Sequence, residues 1–262
     1  MVIYQFDGTM TGLLCCIFRA FQFKEFDVTL ALEHQAQDSL LAETIEIASH
    51  EAQAKRVWEG LSQKLSNEGL KRFYYSYLSE QLPAYQHLFN FAVYVFQSHI
   101  SIEKNYGNPD VLGVAQWTKQ VGREKHRMEA FVRFKKTKEG LFISLVRPDF
   151  NVLPLIQRHF KARYQDQEWL IYDEKRHYGI YYDLNTIHQV ELNASTIDKN
   201  IDNGFSQNFD LELDEQEMLY DQLWKDYFNS VNIQARKNIK LHIQYVPKRY
   251  WRYMNERSSN VA

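Results

Sequence analysis

The sequence predicts an α+β fold: a helical N-terminal half packed with an antiparallel sheet of about five strands, plus a C-terminal helix. Three observations carry this reading. Apolar residues recur at helical spacing in the first half, as in Leu70, Phe73, Tyr74, Tyr77, Leu78 and Leu82. Past about residue 130 the period shortens toward alternation. The predicted strands follow the helices instead of interleaving with them, which argues against a doubly wound sheet.

Taken in order, Ile3 to Phe6 is a short strand that runs into Asp7-Gly8-Thr9, a turn and a helix cap. The next helix carries Leu14, Ile17, Phe18 and Phe21 on one face. A less regular stretch precedes the stripe from Leu70 to Leu82. Pro83 suits a helix end or start, and Leu88 to Phe96, apolar nearly all round, reads as a buried central helix. Gly107 and Pro109 mark a connection. A helix over Val111 to Ala130 has Val114, Trp117, Val121, Met128 and Phe131 on its packed face. Phe131 to Phe134, a turn at Lys138-Glu139-Gly140, and Leu141 to Val146 then read as a hairpin. Pro154 opens a helix carrying Val152, Leu155, Ile156, His159 and Phe160, with His159 expected as a satisfied core histidine. Strands are expected at Trp169 to Tyr172, Gly179 to Tyr182 and Ile187 to Leu192. Asn193 to Asp210 reads as a loop, and Asp214 with Glu217 suits the cap of a helix carrying Tyr220, Leu223, Trp224 and Tyr227.

A chain of 262 residues is long enough for one compact domain over 1–262, with a possible subdivision into 1–108 and 109–262. The two cysteines, Cys15 and Cys16, are adjacent, which disfavours a disulfide and fits a reducing compartment. Two thiols are too few for a cysteine-built zinc or iron–sulfur site. No secretory signal or apolar run of membrane-spanning length is evident, so a cytoplasmic location without membrane contact is expected. No cofactor is evident and no metal site is expected.

The net charge of −2 conceals segregation. Lys119 to Lys138 holds eight Lys/Arg and two Glu; Arg236 to Arg257 holds seven Lys/Arg and one Glu. Brought to one face, these segments would meet a polyanion.

Four stretches together resemble one bacterial family: FDGTMTGLLCCIFRAF (Phe6 to Phe21), VGREKHRMEAFVRF (Val121 to Phe134), WLIYDEKRHYGIYYD (Trp169 to Asp183) and LWKDYFNSVNIQARKNIKLHIQYVPKRYWRYM (Leu223 to Met254). The family comprises DNA metabolism or repair proteins of unknown activity. The resemblance spans most of the chain; from Thr29 to Gly107 only helical character is shared. Cys15 stands where the first block usually has a cysteine. The resemblance implies DNA as a partner and association with a radical-SAM protein, and some members are fused to a uracil-DNA-glycosylase-like domain. It supplies no catalytic residues. The chain lacks the CxxxCxxC of a radical-SAM enzyme and the water-activating motif of a glycosylase.

Several groups could carry chemistry. Arg123 and Arg127 lie one turn apart on the 111–130 helix and could hold a phosphate or a carboxylate. Glu124 falls on the packed stripe, so its carboxylate should be paired, by an arginine above all; it could instead form a site with His126. The tail Lys248-Arg249-Tyr250-Trp251-Arg252, with Arg236 and Lys237 upstream, interleaves cations and rings as single-strand binding requires, although the rings could equally pack on the core. Lys175, Arg176 and His177 are expected at an exposed turn between strands. Pro148-Asp149 followed by Asp173-Glu174-Lys175 matches a short metal-nuclease pattern of two carboxylates and a lysine. Asp7-Gly8-Thr9 lacks the second aspartate of an aspartate-nucleophile phosphatase. The leading expectation is an accessory nucleic-acid-binding protein of DNA metabolism or repair. The alternatives are a metal-dependent nuclease or base-modifying enzyme, and an assembly module with a basic docking face.

Overall fold

The computed structural model describes residues 2–33, 43–191, 214, 216 and 247–253, with Arg252 and Tyr253 described by backbone alone. The chain divides into two compact units, 1–123 and 124–262.

The first unit opens with β1 (Val2–Phe6), whose continuation is the turn Asp7-Gly8 and the helix α1 (Met10–Phe23). Gly8 takes φ +80°, a left-handed conformation that favours glycine. Thr9 caps α1, its hydroxyl accepting from the Gly12 N–H at 2.9 Å. Two further strands, β2 (Val28–Leu32) and β3 (Glu43–Glu46), flank β1, giving the all-parallel order β2-β1-β3. These two strands correct the expectation of an irregular stretch. Val28, Leu30 and Leu32 are buried and alternate with more exposed positions, a strand period too short to stand out beside the helices.

Three helices follow: α2 (Glu51–Lys64), α3 (Asn67–Tyr77) and α4 (Leu82–Gln97). The apolar helix is buried as expected, through Leu88, Phe89, Phe91, Ala92, Val93 and Val95. These join Tyr4, Phe6, Leu13 and Ile17 in the core. Gln86 of α4 closes the outer edge of β2. Its amide oxygen accepts from the Leu30 N–H at 2.8 Å, and its amide nitrogen donates to the Val28 carbonyl at 3.0 Å. Both cysteines are free and buried, and burial pushes the Cys16 thiol up.

The long helix α5 (Pro109–Phe131) runs across the boundary between the units. It extends through Phe131, so the first hairpin strand is not Phe131 to Phe134 but the two-residue β4 (Lys135–Lys136). Met128 and Val132, four apart and both buried, prolong the helical stripe, while the Phe134 ring is taken up by Phe160, Tyr164 and Trp169. The turn at Thr137 to Gly140 leads into β5 (Phe142–Val146). Then come α6 (Leu153–Arg163), β6 (Trp169–Asp173), β7 (Tyr178–Tyr182) and β8 (Ile187–Glu191), with sheet order β4-β5-β6-β7-β8.

The fold is therefore mixed helix and sheet, with a five-stranded sheet that is mostly antiparallel. The exception is β5 with β6, which pair in parallel from Phe142↔Trp169 to Val146↔Asp173. The helix α6 between them supplies the crossover that a parallel pair requires. The expected C-terminal helix over 214–227 and the loop 193–210 lie outside the described residues, apart from Asp214 and Gln216. The tail is represented by a 3₁₀ turn, Lys248–Tyr253. Among the described residues no helix is long and apolar enough to cross a membrane.

Candidate functional site

In the second unit, the loop after β5 is the meeting point of most of the candidate residues. Pro148 and Asp149 occupy this loop, and three separate parts of the chain close on it. From α5, Glu124 accepts the Asp149 backbone N–H at 2.9 Å. From the β6–β7 turn, Lys175 Nζ donates to the Asp149 carbonyl at 2.8 Å; Arg176 donates to the same carbonyl at 3.0 Å and to the Pro148 carbonyl at 3.2 Å. From the 3₁₀ turn, Arg249 Nη2 meets the Asp149 carboxylate at 2.7 Å.

Glu124 is only 1% exposed and is paired as its stripe position requires. Arg127 lies 3.7 Å and Arg249 3.4 Å from its Oε2, and the Tyr250 hydroxyl donates to that same oxygen. Tyr250 is itself buried, against Phe131 and under Arg249. Burial first, then the Glu124 charge, pushes its phenol up, so it remains a donor. Such an arrangement satisfies a carboxylate taken out of water.

This geometry revises several expectations. His126 is 87% exposed on α5 and approaches Glu129 at 3.9 Å, so it forms no pair with buried Glu124. Tyr250 is sealed in the core and offers no stacking face; Trp251 is partly exposed, with the Lys248 ammonium 6.0 Å over its ring. The β6–β7 turn exposes Lys175 and His177 as expected, but not Arg176. Asp173 is fully buried and Arg176 only 8% exposed, the two joined at 2.8 Å. Asp173 also accepts the backbone N–H groups of Lys175 and Arg176. Burial raises its carboxyl, outweighing Arg176 and the N–H donors.

Both Asp173 oxygens are thus committed to the turn, and Lys175 to a backbone carbonyl, so the nuclease pattern is used here to fold a turn. Among the described residues no group of three or more His, Cys, Asp or Glu could hold a metal ion. His159 is partly exposed, 4.0 Å from Glu129, and is not a core residue. Lys175, Lys248, Arg249 and Arg123 are exposed and Arg127 partly so. Arg123 closes the first unit. Arg236, Lys237 and the Arg252 side chain lie outside the described residues.

The first unit holds a separate polar group, in which the turn and cap expected at Asp7-Gly8-Thr9 are joined by Ser49 and His50. The Asp7 carboxylate accepts from the Thr9 N–H at 2.8 Å, the Thr9 hydroxyl at 2.7 Å and the Ser49 hydroxyl at 2.7 Å. Beside it, Cys15 Sγ accepts from the His50 N–H at 3.2 Å. A Cβ on Gly12 would stand 2.3 Å from Asp7 Oδ1, so the approach depends on that glycine. Burial raises the Asp7 carboxyl, but the hydrogen bonds from Ser49 and Thr9 outweigh it and hold the group below its usual value. Every oxygen of this group is satisfied internally, and it reads as the joint between strand end and helix cap. Ser49 and His50 carry no local motif that would have flagged them.

Comparison with known sequences decides the family. The sequence pattern of the domain of unknown function DUF4130 matches residues 83–256. The chain belongs to the DUF4130 family. The matched span contains Glu124, the Pro148–Asp149 loop, the β6–β7 turn and the 3₁₀ turn, so the whole cluster lies inside the family's domain. No curated protein matches the sequence. Among solved structures, the chain is similar to a pGpG-specific phosphodiesterase, PggH, from Vibrio cholerae. Identity is 10% over 69% of this chain and 81% of that one, and the TM-score is 0.27. A score of that size carries no inference about fold or activity.

Proposed function

We propose that the DUF4130 region of this chain binds nucleic acid through the cationic surface gathered around the Pro148–Asp149 loop. The observation that carries the reading is convergence: Lys175 and Arg176 from one turn, and Arg249 from another, reach the same residue, Asp149. Arg176 is the buried clamp. Lys175, Arg249, Lys248 and the edge of Arg127 are the groups available to phosphates, with Trp251 supplying a ring beside Lys248. Phosphate contacts are what such a surface supports; stacking on the ring would add base contact without base selectivity. A setting in DNA metabolism or repair, with a radical-SAM protein and a uracil-DNA-glycosylase-like protein as partners, is what the four resembling blocks add.

The test is fluorescence anisotropy of a labelled single-stranded oligonucleotide with the full chain, titrated with salt. Binding should weaken as salt rises, and Lys175→Ala with Lys248→Ala should reduce both affinity and salt slope, by about 0.7 per lost phosphate contact. Equal competition by polyglutamate and by unlabelled oligonucleotide would instead indicate an acidic protein partner. Loss of a base or a strand break in the oligonucleotide would replace the binding reading with an enzymatic one.

A further inference from the structure

The three cations around Asp149 do not all use the residue in the same way. Lys175 and Arg176 hold its carbonyl and Glu124 holds its N–H, so the loop is fixed through the backbone. Any residue but proline would keep those bonds. The side chain does something else: its carboxylate, in a half-exposed group, covers Arg249, whose own side chain is 42% exposed. An exposed ion pair contributes little to stability, so the pair is not needed to hold the loop.

Arg249 is also over-subscribed at one nitrogen. Its Nη2 faces three oxygens: Tyr250 hydroxyl at 2.8 Å, Asp149 Oδ2 at 2.7 Å and Glu124 Oε2 at 3.4 Å. That nitrogen carries two hydrogens. Tyr250 and Glu124 are buried and cannot leave without stranding a charge; Asp149 is the partner that can swing into water. The Nε and Nη1 donors of Arg249 make no hydrogen bond among the described residues; every bidentate edge of a guanidinium includes Nη2, so a phosphate gains a two-pronged hold only where the Asp149 carboxylate gives up its place on that nitrogen.

We infer that Asp149 is a built-in competitor for the anion site at Arg249: a phosphodiester oxygen of single-stranded nucleic acid displaces the Asp149 carboxylate when it binds. This rests on the nucleic-acid reading above and adds to it the residue that sets affinity at that site. The carboxylate holds the site in a self-neutralised form and rejects weakly charged anions.

The experiment compares wild type, Asp149→Asn and Asp149→Glu, as full chains, for binding of a labelled oligothymidine of about ten nucleotides over a salt series. Asp149→Asn should bind about two- to fivefold tighter, with a salt slope steeper by about 0.7 as one more cation becomes available to phosphate. Asp149→Glu, which keeps the charge, should stay near wild type. The melting temperature of Asp149→Asn should be close to that of wild type, because the backbone bonds survive. If wild type binds but Asp149→Asn binds no tighter, or tightens without a change of slope, the competitor role is overturned and the binding function stands. A Asp149→Asn chain that melts well below wild type overturns it too, since the side chain would then be structural. If none of the three binds, the nucleic-acid reading fails and the competitor role with it.

Discussion

Asp7 in the first unit and Asp173 in the second do the same local job under opposite conditions. Each stands at the end of a strand, and each accepts the backbone N–H of the residue two positions on, at 2.8 and 2.9 Å. Asp7 remains exposed and draws its remaining donors from neutral hydroxyls, Thr9 and Ser49. Asp173 is fully buried and needs the Arg176 guanidinium. The outcome differs in sign: the Asp7 carboxyl is lowered and the Asp173 carboxyl is raised. The same aspartate-to-backbone contact therefore belongs to an easily charged cap in one place and to a costly buried ion pair in the other. Burial, more than local geometry, sets which.

The largest test of this contrast is truncation. Asp173→Ala removes the buried carboxylate that the nearly buried Arg176 guanidinium meets at 2.8 Å and should cost about 3–5 kcal/mol. Asp7→Ala loses hydrogen bonds at a wet surface and should cost about 1 kcal/mol. Urea denaturation of both variants would break the comparison if the two losses were equal. Next in size is Tyr250→Phe, which takes one donor from buried Glu124 and one acceptor from Arg249. A charge-assisted bond of this kind contributes about 1.5–3 kcal/mol, and chemical denaturation should show that loss.

The smallest effect is in pH dependence, and its sign separates the two aspartates. An unfolded aspartate titrates near pH ~4. The folded value of Asp7 is lower, so its contribution is present above ~4 and lost as pH falls through the folded value. The folded value of Asp173 is higher, so its contribution is complete below ~4 and lost as pH rises through the folded value. Asp7→Asn should flatten the acid limb of the stability curve, and Asp173→Asn the decline on the other side of ~4. Matching slopes in the two variants would contradict the assignment.

Legibility followed the same division between local and distant causes. The pairing of Glu124 could be read from position alone, because a carboxylate three after Val121 and four before Met128 must face the packed side of a helix. The cap at Thr9, the buried helix around Leu88, and the helix opening at Pro154 are likewise local. The strand β3 escaped notice because its sequence, Glu-Thr-Ile-Glu, has one apolar residue and no period. The parallel pairing of β5 and β6 was hidden because a strand pattern carries no direction; the intervening α6 was the available hint. In the β6–β7 turn Lys175 and His177 are exposed as expected while Arg176 is not, because exposure depends on what packs over a turn. Pro148 and Asp149, 24 or more residues away in sequence, do that here. Tyr250 was undecided for the same reason, as its partner is Glu124.

Gln86 has a consequence for how the molecule stays separate from its neighbours. A three-stranded sheet has two open sides, and each is a template on which another chain could lay an extended segment. By bonding both Leu30 N–H and Val28 C=O, one amide does the work of a neighbouring backbone at β2. Asn90, one helical turn further along, holds that amide in place at 3.1 Å. A helix here finishes part of a sheet, and shortening that single side chain would leave the Leu30 N–H and the Val28 C=O without this partner.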